Sequence, residues 1–356
     1  MIKFDKILLF AVLAILIIGL FALYSASIRY YSQTIILRQV TWMLVGVAFM
    51  AVSLRLDYQK ILNASYVLYA VNILLLIFVL FFGRSRGGAQ RWIGIGPISI
   101  QPSEMAKITF ILALSSYIGS RKNEVTKISF FLRVLCFALP VFLLILIEPD
   151  LGTALLIIPI TLIMLYVAGA RAGHLFGVIL LGIGALPVFW QFLKEYQKQR
   201  LFVFINPNID PLGSGYTIIQ SKIAVGSGGI FGKGWLGGTQ NQLNFLPERH
   251  TDFIFSVIGE EWGFIGALVL ISLYALIVMR GLKIIDRTPD LSGKLMATGF
   301  IALFAIQAVI NIGMTIGFLP IVGLTLPLIS YGGSSLVATL ITMGLLLNIG
   351  MRRSLF

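Results

Sequence analysis

Three short segments of this chain hold side chains able to move a proton or grip a charged group. The densest is Phe245-Leu-Pro-Glu-Arg-His-Thr-Asp252-Phe253, which sets two carboxylates, a guanidinium and an imidazole directly before an apolar run. Asp252 stands where the eighth long helix should begin. It can be read as a helix cap, a role Thr251 could also fill, and the helix dipole is expected to lower its pKa. Glu260 and Glu261 follow on the same helix, and His250 reads as a surface imidazole beside the chemistry rather than its base. The second segment is Gln101-Pro-Ser-Glu-Met-Ala-Lys107, where Pro102 suits a first helical turn and Glu104 and Lys107, three apart, share one face. A charge inside a membrane span costs about 2.5 to 3.5 kcal/mol even on lenient scales, so such residues face a cavity or a partner. Two readings stay open for this pair: mutual neutralisation, or the wall of a polar pocket in which Lys107 attracts an anion such as phosphate. The third segment, Glu148-Pro-Asp-Leu-Gly-Thr153, turns the chain sharply. Here Asp150 is either a helix cap beside a solvated acid, or part of a cation or phosphate site, since carboxylates with few waters attract Mg²⁺ or Mn²⁺.

These segments must be positioned by membrane helices. The chain has 356 residues, of which 58% are hydrophobic and only 12% charged, with a mean hydropathy of +0.97, values outside the range of a soluble domain. Runs long enough to span a bilayer recur at 7–27, 37–54, 61–82, 103–119, 130–147, 151–169, 174–193, 253–280, 294–318 and 333–350, each near the required ~20 residues. The apolar start is retained as the first span, because it is long for a signal segment and is followed by more spans. The expected fold is therefore an all-α polytopic membrane protein, one domain over 1–356, with ten transmembrane helices. Fifteen Lys and Arg, from Lys3 and Lys6 to Arg352 and Arg353, fall on the side of the termini, against five (Arg29, Arg38, Arg84, Arg86, Arg91) on the short connections opposite. Both termini are therefore expected in the cytoplasm. That topology accounts for most of the formal net charge of +13 and argues against nucleic acid as a partner.

The three polar segments then share the extracytoplasmic side with a long loop, about 194–252. Its turn signals suit a functional loop, and Tyr216, Ile219, Ile223 and Ala224 or Val225 fall at helical spacing, as in a short amphipathic helix on the membrane surface. Phe231, Trp235 and Phe245 suit interfacial anchors. Gly313-Met-Thr-Ile-Gly317 reads as a close helix-packing motif within the bundle, or as a docking face for a partner's helix. Pro320, Pro327 and the run Ser330 to Ser335 make a broken entry to the last helix, tolerated at depth only beside protein or a water-filled cavity. The lone Cys136 reads as a buried small hydrophobe and His174 as an interfacial residue.

Gly83-Arg-Ser-Arg-Gly-Gly-Ala-Gln-Arg-Trp-Ile93, Gln101-Pro-Ser-Glu104, Glu148-Pro-Asp-Leu-Gly-Thr153, Leu246-Pro-Glu-Arg-His-Thr-Asp-Phe-Ile-Phe255, Gly259-Glu-Glu-Trp-Gly263 and Pro327-Leu-Ile-Ser-Tyr-Gly-Gly-Ser-Ser335 together closely resemble the SEDS family of shape, elongation, division and sporulation proteins. The short tails resemble its rod-shape members more than its division members. The resemblance implies an inverting peptidoglycan glycosyltransferase that polymerises lipid II during elongation and releases undecaprenyl pyrophosphate; the alternatives are a lipid II flippase, a septal polymerase and a scaffold. It implies Asp252 as general base, with Lys107, then Arg200, Arg249 and Arg91, as cations for the pyrophosphate. Glu104 would hold Lys107, while Asp150, Trp92, Gln101 and Ser103 would shape the substrate cavity. A divalent cation, Mg²⁺ or Mn²⁺, would find Asp252, Asp150 and Glu104 as candidate ligands. The partners implied are a class B penicillin-binding protein and other elongation-complex membrane proteins, at the cytoplasmic membrane with the site facing outward.

Overall fold

The computed structural model describes residues 4–28, 32–86, 89–95, 98–211 and 213–352; Lys3, Arg29 and Arg353 of the cation count lie outside the described residues. In chain order the elements are α1 (Lys6–Ser27), α2 (Ser32–Arg55), α3 (Tyr58–Asn63), α4 (Ser65–Phe82), β1 (Arg84–Arg86), β2 (Ala89–Ile95), β3 (Ile98–Ile100), α5 (Pro102–Gly119), α6 (Ile128–Ile147), α7 (Leu151–Ala168), α8 (Ala172–Phe192), α9 (Glu195–Ile205), α10 (Ser214–Ser227), α11 (Thr239–Gln242), α12 (Ile254–Arg287), α13 (Leu291–Thr315) and α14 (Gly333–Arg352). Among the described residues, nine helices are long and apolar enough to cross a membrane. The tenth expected span, α5, has the length of a span at 18 residues but carries Ser103, Glu104 and Lys107 in its first two turns. Those polar groups are tolerable because α5 runs through the interior, beside the largely buried α13 and α14, whereas α8 lies on the rim with almost all of its surface uncovered.

Local chemistry sets the helix ends. Asp5, Asp150 and Asp290 accept the backbone N–H of Leu8, Thr153 and Gly293, so α1, α7 and α13 each begin on an aspartate cap. At the end bearing the termini, Arg280 pairs with Asp5 at 2.6 Å and Arg352 with Asp57 at 3.2 Å. The opposite end holds a three-stranded antiparallel sheet in the order β1-β2-β3, with Arg84 opposite Trp92 and Ile93 opposite Ile100.

Three expectations are corrected. Cys136 lies on the outer surface of α6, where a membrane helix meets lipid, and is not buried. Gly313 and Gly317 do not bring helices together: α13 ends at Thr315, Gly317 takes a left-handed φ of 79°, and Phe318 and Leu319 fold back to donate to the Gly313 carbonyl at 2.8 and 3.1 Å. The pair marks a helix terminus and not a helix-packing motif. The amphipathic helix exists as α10, yet its buried stripe is Ile218, Ser221 and Ala224, and Ile223 is exposed. Ser221 fixes it inward, its Oγ 2.6 Å from the Thr315 carbonyl and 2.7 Å from Ser256 Oγ.

The longest helix is interrupted. At Gly263 of α12 the backbone turns to φ 64°, ψ −161°, and segment 229–234 lies across the break. Lys233 and Gly234 donate to the carbonyls of Glu260 and Glu261, each at 3.0 Å, while Phe264 and Ile265 donate to Gly229 and Ile230 at 2.9 and 3.1 Å. The inserted segment thus satisfies backbone groups that the kink removes from the helical ladder. The side chains of Glu260 and Glu261 complete the splint. Glu260 accepts from Lys233 Nζ at 2.8 Å, Gln240 N at 2.9 Å and Asn241 N at 3.2 Å; Glu261 accepts from Ser25 Oγ at 2.5 Å and Asn241 Nδ2 at 3.1 Å.

Candidate active site

Asp252 ends the long loop two residues before α12. It does not cap that helix: Phe253 occupies the cap position without a side-chain hydrogen bond, and Thr251 Oγ1 turns back to Glu248, 3.0 Å from its Oε2. The Asp252 carboxylate is therefore left for other chemistry. Its strand is held by main-chain bonds to the irregular segment 320–331. Asn311 Nδ2 donates to the carbonyls of Asp252 and Leu324 at 2.9 and 2.6 Å, Ser330 Oγ to that of Thr251 at 2.5 Å, and Tyr331 N to that of His250 at 2.9 Å. Gly323, with φ 74°, lets this segment pass close by; a Cβ built there would stand 3.6 Å from Asp252 Oδ2. His250 faces the Tyr331 ring, centroids 5.9 Å apart.

The expected dipole-driven lowering of the Asp252 pKa is overturned. Desolvation pushes it up to about 6, with the Glu248 carboxylate adding to the rise and Arg200, Arg91 and, in the opposite sense, Asp150 acting after it. Burial disfavours the charged carboxylate more than the partial charge of one helix end favours it. Arg200 reaches this place from α9, where its Nη1 lies 3.4 Å from the Ile321 carbonyl. Arg91 reaches it from β2, pairing with Asp150 Oδ2 at 3.4 Å. Asp150 caps α7, the first of its two readings, and also accepts from Gln101 Nε2 at 3.2 Å. Asp252, Arg200, Arg91, Asp150 and Gln101 thus form one polar patch. Trp92, next along β2, belongs to the opposite strand face.

Other expected residues sit elsewhere. Lys107 is 2% exposed and donates to Glu104 Oε1 at 2.8 Å, so Glu104 holds it as expected. The pair borders a cavity of about 10 Å³ with Gln307, Pro327, Thr339 and Thr342, room for about one water. Ser103 is fully buried beside Glu104. Arg249, expected to bind phosphate, is a strut: it is buried, with Nε donating to the Ala26 carbonyl at 2.7 Å and Nη1 to Asn244 Oδ1. Glu148 is not a solvated acid but a buried one. Burial and then the Asp150 carboxylate raise its pKa to about 8, against Arg91. For a metal, the three proposed ligands do not fit. Glu104 is committed to Lys107 and Asp150 to Arg91, Gln101 and Thr153, and among the described residues no three such side chains converge. No step below runs through a metal. Sequence reasoning missed Gln307 and Asn311, which lace α13 to segment 324–325; two amides four apart in an apolar helix were the available signal.

This arrangement of ten long helices and a polar patch can be set beside known proteins. The family model for FtsW, RodA and SpoVE, described as cell cycle protein, matches residues 6–355. The chain belongs to the FtsW/RodA/SpoVE family. Within it, the chain is 40% identical over 355 residues to the peptidoglycan glycosyltransferase MrdB of Escherichia coli (strain K12), covering 99% of this chain and 94% of that one. Its fold matches a chain from a solved structure described as structural coordination of polymerization and crosslinking by a peptidoglycan synthase complex, with a TM-score of 0.86, 36% identity and 99% of both chains covered. It also matches a mutant form of the Thermus thermophilus rod shape determining protein RodA, with a TM-score of 0.76, 33% identity and 99% of both chains covered. The chain is thus a multi-pass membrane protein of this family.

Proposed function

We propose that this chain is a peptidoglycan glycosyltransferase that polymerises lipid II at the outer face of the cytoplasmic membrane during cell elongation. The observation that carries the reading is one carboxylate, Asp252, beside two guanidiniums, Arg91 and Arg200. In the reaction the 4-hydroxyl oxygen of one disaccharide bonds to the anomeric carbon of another, and its proton passes to Asp252. The anomeric C–O bond breaks on the opposite face, and the electron pair leaves with undecaprenyl diphosphate, inverting the centre. A base with a pKa near 6 suits proton transfer close to neutral pH better than an ordinary aspartate. The leaving group is already a stabilised anion, so it needs positive charge and not the second carboxylic acid that glycosidases use. Arg91 and Arg200 supply that charge, and Gln101 and Asp150 orient Arg91.

The lysine and arginine excess at the terminus-bearing side supports the outward orientation of the site. The match to a complex of polymerisation and crosslinking supports a crosslinking partner of the class B penicillin-binding type, and the RodA match supports a role in rod shape. Purified full-length chain incubated with lipid II, with and without a one-span transpeptidase partner, tests the reading. Glycan chains are expected, and they should be lost in Asp252→Ala and Asp252→Asn. Retained polymer in both variants removes Asp252 as base. Movement of lipid II across vesicles without polymer would favour transport instead.

A further inference from the structure

Behind the Arg91–Asp150 pair lies a group that the reaction as written does not use. Glu148 follows α6 directly, is 1% exposed, and neither of its carboxyl oxygens has a hydrogen-bond partner among the described residues. Such an orphaned buried carboxyl is costly unless it stays uncharged or gains a partner in another state of the protein. The charged groups acting on it are Asp150, two residues on, and Arg91. An ionised Glu148 would set a second negative charge beside Asp150 and compete with it for the guanidinium. Burial with no partner for either oxygen, beside the Asp150 carboxylate, favours the neutral carboxylic acid, with a carbonyl oxygen ready to accept.

The matching donor is close at hand. Arg91 meets Asp150 through Nη1, while its Nε is buried and without a partner among the described residues. One orphaned donor and one orphaned acceptor therefore flank the same aspartate. Arginine presents Nε and its terminal nitrogens as a planar fork, so one edge can be held by protein while the other binds an anion. Resting on the reading of the site as a diphosphate-releasing centre, we propose that Glu148 is a positioning residue whose carbonyl oxygen accepts Arg91 Nε–H when an anionic diphosphate draws the guanidinium away from Asp150. Glu148 acts through Arg91 and touches no reacting atom. It keeps the fork aimed at the anion without adding negative charge against it.

Three substitutions separate this role from packing and from charge. Glu148→Gln keeps the shape and an acceptor oxygen without a titratable group; Glu148→Met keeps the volume but offers no comparable acceptor; Arg91→Lys removes Nε. The affinity of the full-length chain for undecaprenyl diphosphate is measured for each, together with thermal midpoint and lipid II polymerisation. Glu148→Gln should bind within about threefold of the unaltered chain, and Glu148→Met about tenfold more weakly at an unchanged midpoint, the size of one lost hydrogen bond to a charged group. In an Arg91→Lys background, Glu148→Met should add nothing further. Unaltered affinity in both the Gln and the Met variant would overturn the proposal in favour of packing, and an equal loss in both would overturn it in favour of charge. Full additivity on Arg91→Lys would also overturn it. Absence of polymer from the unaltered chain counts against the polymerase reading alone, because the affinity series is read separately from turnover.

Discussion

The Asp252 loop and the charge pair of α5 are built on opposite plans. On the loop side, Asp252 and the two residues before it are held through their main-chain carbonyls, by Asn311, Ser330 and Tyr331, so the Asp252 carboxylate stays uncommitted. On the helix side, Glu104 and Lys107 are held by each other's side chains. Main-chain anchoring leaves a functional group available to a substrate. Side-chain pairing fixes charge in a membrane interior at the expense of that availability. Altering the loop side should therefore cost rate, and altering the helix side should cost stability.

Asp252→Asn tests the first half most sharply. Lipid II polymerisation should fall by roughly 10²- to 10⁴-fold, the usual contribution of a general base, while the thermal midpoint in detergent stays level. A large fall in the midpoint would erase the contrast. The helix side should show the reverse: Glu104→Leu or Lys107→Met strands one charge in the interior and should cost about 3 to 5 kcal/mol in unfolding experiments. The double variant should recover most of that loss, since both charges then leave together.

A smaller effect is expected at the splint. Gly263→Ala puts a side chain on a left-handed residue whose Cβ would meet Gly232 N at 2.3 Å, so unfolding should ease by about 1 to 3 kcal/mol. The most modest effect is on pH dependence. Asp252 must be ionised to accept a proton, and its pKa is about 6; the rate should hold above that pH and fall about tenfold per unit below it. Glu248→Gln removes a negative charge that raises this pKa, so the acid limb should move to lower pH. A limb that stays in place would show that Glu248 does not act on the base.

Much of this was legible in the sequence. The ten long helices followed from apolar runs, with α12 the main misjudgement in length, because Arg280 ended the apolar run while the helix continued to Arg287. The polar segments were legible because charges are scarce in a membrane chain and each one must be explained. Less visible were contacts between distant segments. The sheet β1 to β3 was missed because its strands are short and flanked by glycines, so period-2 alternation had little length in which to appear. Arg249 and Arg200 look alike as isolated arginines in one loop. Only folding shows that the first is tied to Ala26 and the second lies beside Asp252. Glu148 looked solvated because a turn between spans usually meets water, and here that turn is folded under Arg91 and Asp150.

The break in α12 has a mechanical meaning. An unbroken helix of 34 residues would act as a lever, passing any tilt of its membrane part on to the residue at its tip. At Gly263 the ladder is open and its bonds are made to segment 229–234, which ties Glu260 and Glu261 on one side of the break and Phe264 and Ile265 on the other. The nine residues from Ile254 to Trp262 that follow Asp252 are in effect bolted to the loop. A tilt of the lower shaft is therefore shared with the loop, through Phe264 and Ile265, before it reaches the base.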